Sequence, residues 1–129
     1  MHALLKAVSF GVEGPAVLRA ETALEELLTN SVSYGARGSP EPGSVWMSAR
    51  RQEGALEVCF EDAFAPFDPL PRIEEALQRT TNPMDQRPLG GLGLLMVYRL
   101  SDEFRYRCEG GRNCIRMVFR ERDLLPPAH

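Results

Sequence analysis

Two β-hairpin patterns constrain the fold of this chain more than any other feature of its sequence. Each pattern contains two runs in which apolar and polar residues alternate, as is typical of strands with one buried face. The turns between the runs are Gln52–Gly54 and Gly110–Gly111. The four runs are Ser44–Arg50, Ala55–Glu61, Phe104–Cys108 and Ile115–Phe119. Four strands in two hairpins are therefore predicted, and their apolar faces require a cover.

Segments with helical periodicity can supply that cover. Apolar residues recur at helical spacing from Gly14 to Tyr34, with Pro15 suited to a first turn and Gly35 to a stop. A short helix at Arg72–Arg79 and an apolar helix at about Leu92–Leu100 are predicted between the hairpins. The order of elements predicts an α+β fold, a two-layer sandwich in which helices cover one face of a mixed, mainly antiparallel sheet.

Length and composition set the remaining limits. A chain of 129 residues fits one domain, 1–129, with residues 121–129 as a flexible tail. Acidic residues exceed basic ones by only three, which argues against disorder and against a broad nucleic-acid surface. The arginines from Arg99 to Arg122 are expected on the solvated face of the sheet. The first ten residues match neither a signal peptide nor a membrane span, so a cytoplasmic protein is expected.

The three cysteines form no C-x-x-C pair and are expected to be reduced, packed thiols. Their odd number and the lack of clustered histidines disfavour a disulfide framework or a zinc site.

Glu26 and Asn30 are four residues apart on the first predicted helix, so their side chains lie on the same stripe. An amide oxygen at Asn30 is a suitable ligand for magnesium, and a carboxylate at Glu26 could deprotonate an attacking hydroxyl or water. The spacing is common, and a solvated helix face explains it equally well.

Asp62 stands where the second predicted strand opens into a loop, followed closely by Phe67. A carboxylate there could accept a hydrogen bond from an exocyclic amine such as adenine N6, with Phe67 packing beneath the base. A simple turn is the alternative, since aspartate often begins turns.

The run from Leu89 to Val97 passes from glycines directly into an apolar helix. Backbone amides at a helix start attract anions, and Gly90, Gly91 and Gly93 leave room for a phosphate to approach. The run fits neither the Walker pattern nor the dinucleotide pattern, so a flexible turn before a buried helix remains the alternative.

Taken in order, three segments resemble the N, G1 and G2 boxes of the ATPase superfamily of gyrase, heat-shock chaperones, histidine kinases and mismatch-repair proteins. The segments are Glu25–Asn30, Glu61–Pro69 and Arg87–Leu94. Within the superfamily, Ser101–Tyr106 and the Gly110–Asn113 hairpin resemble the small bacterial anti-sigma-factor serine kinases. The resemblance implies a Bergerat-type ATP-binding fold with ATP and magnesium as cofactors.

Carried over to this sequence, the resemblance assigns a role to each site residue. Glu26 is the general base, Asn30 the magnesium ligand, and Asp62 the adenine contact. Gly90, Gly91 and Gly93 border the phosphates, Arg87 touches a phosphate, and Leu70–Leu89 forms the ATP lid. The implied protein binds a sigma factor, phosphorylates a serine of an anti-anti-sigma (STAS) protein, and forms a homodimer, without contacting nucleic acid or membrane.

The sequence departs from the family pattern at two places. Phe64 stands where the G1 box expects glycine, and its bulk is expected to crowd the adenine pocket. Only about a dozen residues precede the first helix, so the usual N-terminal strand is expected to be missing. A protein-binding module that binds nucleotide poorly, and an ATPase without kinase activity, therefore stay open as alternatives. A split histidine kinase is disfavoured because no helix carries a phosphoacceptor histidine.

Overall fold

The computed structural model describes residues 14–31, 44–82, 84 and 92–121, and the elements follow the predicted order. A helix precedes the first hairpin, two helices separate the hairpins, and the second hairpin follows. The helices are α1 Pro15–Asn30, α2 Leu70–Thr81 and α3 Leu92–Leu100, and the strands are β1 Val45–Gln52, β2 Ala55–Asp62, β3 Glu103–Glu109 and β4 Arg112–Arg120.

The four strands form one sheet in the order β1-β2-β4-β3, and every described pair is antiparallel. The two hairpins therefore meet through β2 and β4, which occupy the centre. Phe60 of β2, for example, lies between Met47 of β1 and Ile115 of β4. The predicted α+β class is confirmed.

Both hairpins turn tightly. In the second, Glu109 pairs with Arg112, and the two residues between them are Gly110 and Gly111, with φ values of 60° and 75°. Two consecutive positive φ angles favour glycine and match the right-handed twist of the strands.

The first turn is shorter than predicted. Gln52 pairs with Ala55, so it belongs to β1 and only Glu53 and Gly54 form the turn. Arg50, Arg51 and Gln52 at the end of β1 are all exposed, so alternation gave no signal that the strand continues to Gln52.

The helices pack on one face of the sheet and form the main core with it. The buried stripe of α1 contains alanines at Ala20 and Ala23, which are fully buried and let the helix lie close to the sheet. Opposite, Val58, Met117 and Phe119 are also fully buried. The core residues contributed by α2 and α3 are Ile73, Ala76, Leu94, Leu95 and Val97.

The other face of the sheet is polar, as the arginine pattern predicts. Arg105 and Arg116 are exposed there. Glu57 is only 7% exposed on this face because Arg116, Arg50 and Gln52 all donate to its Oε2 atom. The Arg116 hydrogen bond outweighs the cost of burial and lowers the pKa of Glu57 below its ordinary value.

Several expectations fall on residues outside the described ranges. The end of the first helix beyond Ser31, the missing N-terminal strand and the flexible tail belong to them. The predicted lid begins with α2, a helix that buries Ile73 and Ala76, and after Asn82 only Met84 of the lid is described. The lid stays a prediction. None of the described helices combines the length and apolarity that crossing a bilayer requires.

The cysteines are all free, but they are not all packed. Cys114 is buried, and burial raises the pKa of its thiol. Cys108 is exposed because it lies at the end of β3, next to the Gly110–Gly111 turn, where no helix covers the sheet.

Arg19 fixes α1 relative to the rest of the fold. Its guanidinium donates to the Leu100 carbonyl at the end of α3 and to the Arg120 carbonyl at the end of β4. It also pairs with Asp102 at 3.3 Å, and the Asp102 carboxylate accepts a hydrogen bond from the Arg120 backbone N–H. This arrangement sets the position of the helix that carries Glu26 and Asn30.

Asn113 fixes the loop that follows β2. Its Nδ2 donates to Asp62 Oδ1 at 2.8 Å and to the Ala65 carbonyl at 3.0 Å. Its Oδ1 accepts from the Phe67 N–H at 2.9 Å and from the Tyr106 hydroxyl at 2.6 Å. Burial raises the pKa of Tyr106, so its phenol stays protonated and remains a donor. A single side chain thus holds both ends of the loop.

Replacing Asn113 with alanine is expected to lower the free energy of unfolding by about 2–3 kcal/mol, because several buried groups lose a partner. The Phe67 amide should also exchange its hydrogen faster, since it loses its acceptor. Thermal unfolding and hydrogen exchange measure the two effects.

Arg112→Ala provides the control, because Arg112 is the neighbouring residue and points to the exposed face over Trp46. Unchanged exchange at Phe67 in the Asn113 variant would contradict the anchoring role.

Candidate functional site

Glu26 and Asn30 lie on the last two turns of α1 and are both half-buried. The helix therefore places them on one stripe, as predicted, next to the buried residues Leu24 and Leu27. Ser31 follows immediately and is buried, with its backbone N–H bonded to the carbonyls of Leu27 and Leu28. This end of α1 is consequently fixed rather than frayed.

Glu26 lies directly against Gly93 near the start of α3. A Cβ atom added to Gly93 would stand 1.9 Å from Glu26 Oε1, a distance that real atoms do not tolerate. Glycine is thus required at position 93 if Glu26 keeps its place. No described residue donates a hydrogen bond to the Glu26 carboxylate, whose oxygens are acceptors for a proton or a ligand donor.

The contact between Glu26 and Gly93 brings together two of the sequence-predicted segments. The first turn of α3 lies beside a helix that carries a carboxylate and an amide, and bare N–H groups at a helix start favour an anion. Gly90, Gly91 and Arg87 lie outside the described residues, so their predicted phosphate contacts stay predictions.

Asp62 is the last residue of β2 rather than the first residue of the loop. Its Oδ1 accepts hydrogen bonds from Asn113 Nδ2 at 2.8 Å and from the Phe64 N–H at 3.2 Å. Its Oδ2 accepts one from the Ser31 hydroxyl at 2.9 Å. An ionised carboxylate can accept about four hydrogen bonds, so the described residues leave one acceptor site on Oδ2.

The Ser31 hydrogen bond joins the third segment to the other two. Ser31 is adjacent to Asn30, so Asp62 lies at the same end of α1 as the predicted magnesium ligand. Contacts with α1 therefore bring together the three segments, through Gly93 on α3 and through Asp62 on β2.

Phe64 is 8% exposed, yet it does not belong to the main core cluster between helices and sheet. Its backbone is held on both sides, because the N–H donates to Asp62 and the carbonyl accepts from Asn113 Nδ2 at 3.3 Å. A buried phenylalanine with a fixed backbone thus stands where the family pattern expects a glycine.

Phe67 is 44% exposed, and the guanidinium of Arg72 lies 5.2 Å from the centre of its ring. An exposed aromatic ring next to Asp62 suits a stacking surface, although Arg72 competes for it.

The arrangement fits a nucleotide with magnesium. The described residues contain no cluster of three or more histidine, cysteine or acidic side chains that could hold a metal by itself. Magnesium in proteins is often held by one or two side chains together with phosphate oxygens, which matches Asn30 one turn after Glu26 on α1. The start of α3 at Gly93 suits a phosphate. The acceptor that the described residues leave on Asp62 Oδ2 suits an amine.

Sequence reasoning did not identify Ser31, Tyr106 or Asn113 as functional. Asn113 did leave a signal, because it is a polar residue on the face of β4 that otherwise carries apolar side chains such as Ile115 and Met117. A polar residue in such a register position is usually buried with hydrogen-bond partners. Ser31 left no comparable signal.

Three solved structures share this fold. The histidine kinase domain from the Erythrobacter litoralis EL346 blue-light activated histidine kinase is 16% identical, with a TM-score of 0.55 over 83% of this chain and 45% of that chain. The mycobacterial sensor histidine kinase MprB is 19% identical, with a TM-score of 0.54 over 84% of this chain and 74% of that chain. The catalytic domain of histidine kinase ThkA is 14% identical, with a TM-score of 0.52 over 81% of this chain and 68% of that chain. The chain thus spans less than half of the Erythrobacter protein.

Among curated protein sequences, none matches this chain significantly. The family profile of the histidine kinase-like ATPase domain matches residues 1–119. Since that match covers most of the chain and the fold agrees with it, the protein belongs to the histidine kinase-like ATPase domain family.

Proposed function

We propose that this protein is an ATP-binding anti-sigma factor and serine-protein kinase of a partner-switching system. The observation that carries the proposal is the convergence on α1, where Glu26 lies against Gly93 and Ser31 binds Asp62. These contacts unite the three segments that resemble the N, G1 and G2 boxes. Membership of the ATPase family implies ATP as the ligand.

Each residue then has a defined task. Asp62 accepts a hydrogen bond from the adenine amine through its remaining acceptor, and Phe67 packs against the base. Asn30 holds magnesium, which neutralises phosphate charge when bound. Gly93, with Gly90, Gly91 and Arg87, borders the phosphates.

Glu26 accepts the proton of the attacking serine hydroxyl in the proposed reaction. The serine oxygen bonds to the γ-phosphorus while the bond from that phosphorus to the β,γ-bridging oxygen breaks, and ADP leaves. A carboxylate that accepts no hydrogen bond from the described residues suits this task, because none of those residues occupies its lone pairs.

The proposed phosphoacceptor is a serine of an anti-anti-sigma (STAS) protein, and the proposed second partner is a sigma factor. This choice within the family is supported by the Ser101–Tyr106 segment, which resembles that of the small serine kinases. Tyr106 lies on β3 and binds Asn113, so the segment contributes to the loop that carries Asp62. A homodimer in the cytoplasm is part of the same proposal.

Glu26→Gln is expected to reduce phosphoserine formation on a STAS partner by about 10²–10⁴-fold, since the amide cannot accept the proton. ATP affinity should change little. Transfer from labelled ATP measures the first effect and calorimetry the second.

Glu25→Gln is the matched control, because Glu25 is the adjacent residue on α1 and is exposed. Equal activity of the two variants, or no phosphoserine with the unmodified protein, would exclude Glu26 as the base.

A second candidate function follows from Phe64. Its buried ring occupies the loop at Asp62, and a ring that excluded adenine would leave a protein-binding module that binds nucleotide poorly. An ATPase without kinase activity is a third possibility, which the phosphoserine assay separates from the proposal.

Calorimetry with ATP and magnesium is expected to detect binding by the unmodified protein. Saturation at a hundred times the dissociation constant should stabilise the fold by about 2.7 kcal/mol. Absence of both heat and stabilisation would favour the binding module, and in that case Phe64→Gly should restore binding. If Phe64→Gly also failed to bind, the ring would not be the cause.

A further inference from the structure

Ser31 is a buried polar residue whose contact with Asp62 the family resemblance does not assign. It is 7% exposed, and its hydroxyl donates to Asp62 Oδ2 at 2.9 Å. Its backbone N–H remains bonded to the carbonyls of Leu27 and Leu28, so the helix fixes the position of the Ser31 backbone. The hydrogen bond therefore orients the carboxylate from a rigid support.

The two oxygens of Asp62 differ in what they offer a ligand. Asn113 and the Phe64 N–H saturate Oδ1, whereas among the described residues only Ser31 donates to Oδ2. No described residue donates to the Ser31 hydroxyl oxygen itself, so that oxygen also keeps its acceptor capacity. The edge formed by Ser31 Oγ and Asp62 Oδ2 therefore presents acceptors only.

The hydroxyl proton of Ser31 is held in its hydrogen bond to Asp62 Oδ2. Hydrogen bonds to a charged acceptor are about twice as strong as neutral ones, so Ser31 does not turn its proton towards a ligand carbonyl without losing the stronger bond. An approaching amino group finds lone pairs at this edge, and an approaching carbonyl oxygen meets only other lone pairs.

We propose that Ser31 is a positioning residue for base selection, which orients Asp62 so that the site takes a 6-aminopurine nucleotide and rejects a 6-oxopurine. This inference rests on the proposed ATP binding and adds the determinant of base specificity. Adenine donates from N6, whereas hypoxanthine carries an acceptor, O6, at the same position.

The test compares the affinities of ATP and inosine triphosphate, which differ in the purine ring and share the ribose and phosphates. Titration calorimetry with magnesium is applied to the unmodified protein and to Ser31→Ala. Loss of a charge-assisted hydrogen bond should weaken ATP binding about ten-fold. The affinity for inosine triphosphate should stay within about two-fold, because that ligand has no donor at position 6 to reach Oδ2.

Two further variants separate positioning from a general structural effect. Thr29→Ala removes a hydroxyl two residues away that bonds only to the Glu25 carbonyl, so it should leave the ratio of the two affinities unchanged. Ser31→Thr keeps the hydroxyl and should retain the ratio of the unmodified protein. Thermal unfolding of each variant confirms that it is folded.

The outcomes distinguish this inference from the proposed function. If the unmodified protein binds neither nucleotide, both are overturned. If it prefers ATP but Ser31→Ala keeps the same preference, or lowers the affinities for both nucleotides equally, only the role of Ser31 is overturned.

Discussion

The half-buried carboxylate of Asp62 is the constraint on which the arrangement of the site depends. A charged group at the end of a central strand is costly unless donors surround it, and the fold supplies three of them from different elements. Ser31 comes from the end of α1, Phe64 from the loop after β2, and Asn113 from β4. Because these three donors bind one carboxylate, a helix, a loop and the second hairpin are held next to each other. The described residues leave one acceptor on this carboxylate for a ligand.

Helix α1 is the element to which the other parts of the site are attached. Small residues such as Ala20 and Ala23 bring it close to the sheet, and Arg19 bonds it to the ends of α3 and β4. The same helix then presents Glu26 to Gly93 and Ser31 to Asp62. Because these contacts share one rigid support, a displacement of α1 would disturb the proposed adenine contact and the proposed phosphate contact together.

Much of the fold was predictable because its signals are local. Alternation located all four strands, and helical periodicity located α1 and α3, while the placement of Gln52 in a turn was wrong by one residue. The spacing of Glu26 and Asn30 also placed them correctly on one stripe. The Ser31 and Asn113 contacts were not predictable, because they join Asp62 to residues 31 and 51 positions away. The first depends on how α1 packs on the sheet, and the second depends on the pairing of β2 with β4. Local patterns carry no information about such pairings.

The most direct test of the account is the phosphoryl-transfer rate of Gly93→Ala, measured together with its thermal stability. The added Cβ would lie 1.9 Å from Glu26 Oε1, so the flexible carboxylate must move away. Alanine in place of helical glycine favours the helix by about 1 kcal/mol, so the fold should be kept. We expect a stable protein whose transfer of phosphate to a STAS serine falls at least about ten-fold. A stable variant with the full rate of transfer would contradict it.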